Sequence, residues 1–366
     1  MERKKIKDLC KTISSNLQIN KLEDNFGDYP LYGASGLVKR LDFYKIDKPY
    51  VSIVKDGAGV GRIAFHEAKS SIVGTMQGFI NNDNVNLKFF YYALKSQRLG
   101  TSKNGLTIPH IYFKNYGENE INFYSLSKQK EIADYLDSIS EAIENKKQQI
   151  SLLDELIKSR FVEVFGDVLE NNKNFETCSF GDFVNQMNIG PFGSDLKNDC
   201  FVPKEKGYCM VYEQKHAIDK DMTVEARYVD EAKFNHLKRF EIGPGDIIVS
   251  CRGTIGECFI LPDNAPKGII HPSLMMIKPK DSINHKFLVF LLERILAEQN
   301  EQGSGVKMAI KATELAKIKT IKPSKELQDR FIDFVSQVDK SKFVVQQQIK
   351  DLQELLDKKM DEYFSE

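Results

Sequence analysis

The sequence predicts an α+β protein: two globular domains related by an internal repeat, separated by two long helices that form an antiparallel coiled coil. Three observations predict it. The chain is written twice in two long polar segments, apolar residues in those segments recur every seven positions, and the intervening stretches alternate short apolar runs with glycine-rich turns. The order is a domain over 1–127, a helix over 128–166, a domain over 167–323 and a helix over 324–366.

The repeat is plainest in the helical segments. QKEIADYLDSISEAIENKKQQISLLDELIKSRFVEVFGD, from Gln129, aligns without a gap to QDRFIDFVSQVDKSKFVVQQQIKDLQELLDKKMDEYFSE, from Gln328, at an offset of 199. Weaker echoes precede it. VGRIAF (Val60–Phe65) resembles IGECFI (Ile255–Ile260), and YPLYG (Tyr29–Gly33) faces CMVYE (Cys209–Glu213), at shrinking offsets that give the second copy longer loops.

In the first helical segment Leu136, Ile143, Ile150, Ile157 and Val164 recur every seven residues, beside a second stripe of Ile132, Ile139, Lys146, Leu153 and Arg160. The second segment repeats this with Val335, Lys342, Ile349, Leu356 and Tyr363 beside Phe331, Val338, Val345, Leu352 and Lys359. That is a coiled-coil seam, and Gly166 follows the first segment as a C-cap. Each helix spans roughly 50–60 Å at 1.5 Å per residue. A bare apolar stripe of that length needs a partner of similar length, and the chain supplies one.

Within the domains, PYVSIV (Pro49–Val54) and GDIIVS (Gly245–Ser250) read as strands, while NLKFFYYALKS (Asn86–Ser96) and HKFLVFLLERILAEQ (His285–Gln299) read as helices. KDGAGVGR (Lys55–Arg62) and CRGTIGE (Cys251–Glu257) fall between strand-like runs, so they read as hairpin turns or DNA-facing loops and fit neither a dinucleotide fingerprint nor a P-loop.

Composition sets outer limits. The chain is 41% hydrophobic and 28% charged with a formal net charge of zero, ordinary for a folded soluble protein. No run suggests a membrane span, the start MERKKIKDLC lacks the apolar core of a secretory signal, and a cytoplasmic location is expected. Charge is unevenly spread: residues 1–127 carry 18 Lys and Arg against 12 Asp and Glu, whereas 167–323 carry 21 against 22. Cys10, Cys178, Cys200, Cys209, Cys251 and Cys258 are scattered without a CxxC pair, as reduced thiols packed like small apolar groups, and no metal site is expected.

The segment GPFGSDLK (Gly190–Lys197) marks a tight loop. It is either a structural turn or a loop whose N–H groups, Ser194 and Lys197 hold a phosphate. HExxH, GxSxG and the zinc-deaminase pattern are missing, as is the Asn/Asp-Pro-Pro-aromatic signature of amino-methyltransferases. Two copies of a domain without a catalytic constellation favour binding over catalysis.

The sequence resembles the DNA-specificity subunit of Type I restriction–modification systems over essentially its whole length. The carriers are GPFGSDLK with VYEQKHAI (Val211–Ile218), YPLYGASG (Tyr29–Gly36), the DGAGVGR and RGTIGE loops, SKQKEI (Ser127–Ile132) opening the first long helix, and PSKELQDRF (Pro323–Phe331) opening the second. The first domain has no clear GPFGS copy, so the two are diverged recognition types. The resemblance implies two target-recognition domains, each reading one part of a split double-stranded DNA sequence. It implies docking of two adenine-methylating subunits and of a translocating restriction subunit, with no cofactor in this chain and S-adenosylmethionine on the methylating partner. Expected DNA contacts are Lys39, Arg40, Lys55, Arg62 and Lys103 in the first domain, and Lys197, Lys215, Arg252 and Lys307 in the second. On the residues alone, a self-sufficient DNA enzyme and a coiled-coil spacer with two protein-binding heads remain open.

Overall fold

The computed structural model describes residues 2–22, 24–57, 59–101, 110–302 and 311–365. It divides into two compact units, one of Met1–Ser151 with Phe343–Glu366 and one of Leu152–Lys342.

The long helices run Leu126–Phe165 and Lys325–Phe364, each 40 residues. Both start the same way. The hydroxyls of Ser125 and Ser324 accept from the backbone N–H of Lys128 and Leu327 at 3.4 and 3.3 Å, each satisfying a donor that the first turn leaves without a partner. Gly166 ends the first helix at φ +70°, the left-handed cap that the sequence called for.

Each unit buries parts of both helices. In the first, Ile132, Leu136, Ile139 and Ile143 share a core with Leu356, Met360 and Phe364. In the second, Ile157, Phe161 and Phe165 share a core with Phe331, Ile332, Val335 and Val338. The start of one helix thus meets the end of the other in both units, so the pair is antiparallel. Lys342, on the seam, donates to Asp154 across the pair at 2.6 Å.

The strict seven-residue repeat fails near the C-terminal ends of both helices. It puts Arg160 and Lys359 on the seam. Instead Arg160 pairs with Glu163 at 2.9 Å and Lys359 with Glu362 at 2.7 Å, while the neighbouring Phe161 and Met360 are buried. A straight helix drifts roughly 20° per heptad from a 3.5-residue period, which moves the buried stripe on by one position. At that point the helices no longer face only each other. Phe161 packs among Phe165, Phe287, Phe290 and Phe331, with ring centroids 4.9–6.3 Å away.

The globular parts repeat one architecture. Each has a two-stranded antiparallel sheet at its base: Glu2–Lys5 with Glu120–Phe123, and Thr177–Ser179 with Lys319–Ile321. Each has a four-stranded antiparallel sheet, in the order Cys10–Ser14, Met76–Asn81, Tyr50–Val54, Ile63–His66, and in the second Val184–Ile189, Leu274–Pro279, Ile247–Ser250, Cys258–Ile260. The runs Tyr50–Val54 and Ile247–Ser250 are inner strands buried throughout, which is why they carry no polar alternation. A third sheet sets Tyr29–Gly33 parallel to Ser71–Ile72, and Cys209–Tyr212 parallel to Gly268–Ile270. The longer loops of the second copy add helices Gln214–Asp219 and Glu231–His236 and strand Glu241–Ile242.

A buried glutamine ties each domain helix to a long helix. Gln129 accepts from the Asn86 N–H at 2.8 Å and donates to the Tyr124 carbonyl at 2.8 Å. Gln328 accepts from the Asn284 N–H at 2.9 Å and donates to the Pro323 carbonyl at 2.9 Å. Asn86 and Asn284 in turn cap the helices Leu87–Ser96 and His285–Gln302.

Two outcomes are expected. Phe161→Ala should destabilise the second unit by about 3–5 kcal/mol and half-buried Ile150→Ala by under about 2 kcal/mol, read by urea unfolding of the full chain. Equal costs would place the binding of the helices in the seam rather than in the domain cores. The second outcome concerns His66, which is buried against Ser52 (Nε2 to Oγ 2.7 Å) and between Tyr32 and Tyr50. Burial lowers its pKa to about 4. Between the ordinary histidine range and about 4 the unfolded chain takes up a proton that the folded chain refuses, so stability falls as pH falls through that window. Thermal melts of His66→Gln against the native chain at pH 7 and 5 should show the slope flattened in the variant.

Candidate nucleic-acid interface

Both glycine-rich loops are hairpin connections, as their position between strands predicted. Strand Tyr50–Val54 pairs antiparallel with Ile63–His66, and Ile247–Ser250 with Cys258–Ile260. Gly61 (φ +84°) and Gly253 (φ +66°) take left-handed conformations there, which favour glycine because it lacks a Cβ.

In the first unit the Arg62 guanidinium donates to the Ala34 carbonyl. DGAGVGR and YPLYGASG, distant in sequence, therefore meet. Lys55 leaves the strand at the start of the same loop; its backbone N–H donates to Thr75 and its carbonyl accepts from Ile111, both at 3.0 Å. Lys39 and Arg40 lie on the neighbouring strand Gly36–Leu41. Lys39 donates to the Leu22 carbonyl and sits 4.4 Å from the exposed Phe26 ring. Arg40 donates to the Asp28 carbonyl at 2.7 Å. Lys103 and Lys307 lie outside the described residues.

In the second unit three motifs converge. Gln214, from VYEQKHAI, donates to the carbonyls of Arg252 at 2.6 Å and Thr254 at 3.3 Å, pinning the RGTIGE loop. Arg252 and the loop Gly190–Gly193 line one cleft of about 410 Å³, together with Asn188, Arg239 and Phe240. Lys197 is exposed further along the GPFGSDLK segment, and Lys215 pairs with Glu213 at 3.6 Å. Neither lines this cleft. Glu213 also holds Arg227, whose guanidinium lies 3.8 Å from the Phe201 ring centroid. His271 sits behind the loop, with Nδ1 2.8 Å from the Ser273 hydroxyl, and burial lowers its pKa.

Among the cleft residues that sequence reasoning missed are Arg239 and Phe192. Arg239 follows the helix Glu231–His236, in a segment with no motif. Phe192 read as part of a turn, yet it is 75% exposed. The two glycines of GPFG differ in what they require. Gly193 has open space around it and no left-handed φ. Gly190 is the constrained one, because a Cβ there would stand 2.3 Å from the His271 carbonyl oxygen.

The chemistry available is that of a surface able to bind a polyanion: guanidinium groups and loop N–H groups on the hairpins, with the exposed rings of Phe26 and Phe192 on neighbouring loops. Among the described residues no group of three or more His, Cys, Asp and Glu is placed to hold a metal ion, and no helix is long and apolar enough to cross a membrane. Gly190→Ala should displace the loop and lower the melting temperature of the second unit, whereas Gly193→Ala should stay within about 0.5 kcal/mol of the native chain. Calorimetry of the two variants side by side checks this, and equal melting would mean that the close approach at Gly190 is not a constraint.

Comparison with known proteins gives one answer. Residues 1–154 and 201–354 match the Type I restriction modification DNA specificity domain. A Mycoplasma pneumoniae protein named as a type I specificity subunit is 26% identical over 311 residues, covering 82% of this chain and 79% of that one. The specificity subunit of the MjaIX type I restriction enzyme of Methanocaldococcus jannaschii is 31% identical over 149 residues, 35% of this chain and 34% of its own. The fold is similar to the S subunit of a type I system from M. genitalium, with a TM-score of 0.52 at 18% identity, covering 100% of this chain and 96% of that one. It is also similar to a chain solved in work on complex assembly and conformational transition of the type I R-M system, with a TM-score of 0.63 at 14% identity, covering 99% and 97%. With the match spanning most of its length in two regions, the chain belongs to the Type I restriction modification DNA specificity family and carries its domain twice.

Proposed function

We propose that this chain is the DNA sequence-recognition subunit of a type I restriction–modification complex and reads a bipartite target in double-stranded DNA, one part with each unit. The observation that carries the reading is the repeat itself: one three-sheet architecture occurs twice, each copy built onto both long helices and each displaying a glycine-rich hairpin loop that carries an arginine, Arg62 or Arg252. Phosphates fall to Lys39, Arg40, Lys55, Arg62 and Lys103 in the first domain, and to Lys197, Lys215, Arg252 and Lys307 in the second, with Arg239 added by the cleft. Bases are read by polar side chains on the same loops. The second domain has no net positive charge, so its contact is a local patch rather than a basic face.

Recognition without chemistry requires partners. Two adenine-methylating subunits dock on the helices and nearby surfaces, and a restriction translocase joins them. S-adenosylmethionine binds the methylating partner, and the complex works in the cytoplasm, where its DNA lies.

Methylome sequencing of cells with and without the chain tests this. A two-part adenine-methylated motif with a fixed unread spacer should be present with the chain and vanish without it. An unchanged methylome, or methyl transfer to DNA by the purified chain alone, would overturn the reading.

A further inference from the structure

Phe192 is a large aromatic ring presented to solvent by a loop that cannot easily move. Before it, the Gly190 N–H donates to the Leu274 carbonyl at 2.8 Å and Pro191 is buried. After it, the Asp195 N–H returns to the Phe192 carbonyl at 2.9 Å, Lys233 donates to the Asp195 carbonyl at 3.0 Å, and Leu196 enters the core. A flexible loop could fold an apolar ring back onto the protein. This one holds the ring out at 75% exposure, against the hydrophobic effect.

The surroundings say what would cover it. Arg239 and Arg252 line the same cleft as Phe192, and among the described residues no carboxylate does. Arg239 stacks its guanidinium 4.5 Å from the Phe240 ring centroid, and the Arg252 backbone is pinned by Gln214. Two cations beside an apolar ring suit a partner that pairs phosphates with flat apolar faces, which is the make-up of a nucleic acid duplex. An acidic protein surface would satisfy the arginines and leave the ring without a matching flat face.

We infer that Phe192 is an apolar wedge that enters the target duplex at a base step of its half-site, while Arg239 and Arg252 hold the flanking phosphates. The inference rests on the DNA-recognition reading above. A wedge partly unstacks the step it enters, so it favours steps that unstack at low cost and adds specificity without a hydrogen bond to any base.

The test uses the full chain assembled with its methylating subunits. Duplexes carrying the two-part motif have 2-aminopurine placed at each step of the half-site in turn, and binding is measured across a salt series. Fluorescence should rise at one step on binding. Phe192→Ala should abolish that rise and weaken binding roughly tenfold to hundredfold at unchanged salt slope, and Phe192→Trp should keep both. Arg252→Ala should instead lower the slope by about 0.9. If Arg252→Ala behaves so while Phe192→Ala binds within twofold with its fluorescence intact, DNA recognition stands and the wedge is wrong. If the native complex binds without salt dependence or motif preference, the DNA-recognition reading fails and the wedge with it. If Phe192→Ala impairs subunit assembly and leaves DNA binding alone, the ring belongs to a protein contact and the inference is overturned.

Discussion

A helix of 40 residues with one apolar face has to be covered from end to end, and everything else in this chain follows from how that is done. A single small domain covers only part of such a face. Each helix therefore lends one end to each unit: Ile132 through Ile143 to the first, Ile157 through Phe165 to the second, with the partner helix entering both cores in the opposite order. The cores are shared, so neither unit is complete with only one of the helices. A domain with half a helix removed would expose the side of Leu136 or Phe161 that the other helix now helps to enclose.

Apolar burial fixes depth but says little about rotation, because it has no direction. The hydrogen bonds supply that. Gln129 and Gln328 each hold the N–H of an asparagine cap and the carbonyl before a long helix, and Gln129 also donates to the Asn84 carbonyl at 3.2 Å. An amide has one donor end and one acceptor end, so it satisfies both groups only in one orientation. The same device stands at the same place in both copies although their loops have diverged. It ties the junction between domain and helix to a geometry that is costly to leave.

The sequence was most legible where one physical rule acted alone. Heptad spacing and a gapless repeat marked the two helices, and the placement of KDGAGVGR and CRGTIGE between apolar runs marked two hairpins. It was least legible where two rules competed. Arg160 and Lys359 obey the seven-residue count, but the helices leave coiled-coil geometry where they enter the domain cores, and the straight-helix period hands the buried position to Phe161 and Met360. In the candidate interface, Arg252 and Arg62 were visible because a glycine-rich loop carries them. Arg239 was not, since nothing local distinguishes it from any surface arginine; only the fold brings it beside Gly190–Gly193. Phe192 was hidden for a further reason. An apolar residue in a turn reads as packing, and its exposure is a property of the loop's anchoring rather than of the ring.

The same division between scaffold and loop explains how a chain of zero net charge can serve as a nucleic-acid reader. A uniformly basic surface would bind any duplex by counterion release and blur the distinction between target and bulk DNA. Here the long helical segments carry an acidic excess, 8 Asp and Glu against 6 Lys and Arg over 128–166 and 10 against 7 over 324–366, and the cations proposed above as phosphate contacts stand on short hairpins: Arg62 tied to Ala34, Arg252 tied through its backbone to Gln214. Fixing the loop rather than flooding the surface lets a few charges act at defined places. The second loop can change its reading side chains without disturbing the sheets beneath it, because its backbone carbonyls are held from outside by Gln214 and ask nothing of those side chains. That independence accounts for two copies that share strand order, helix caps and glutamine locks while differing most in their loops.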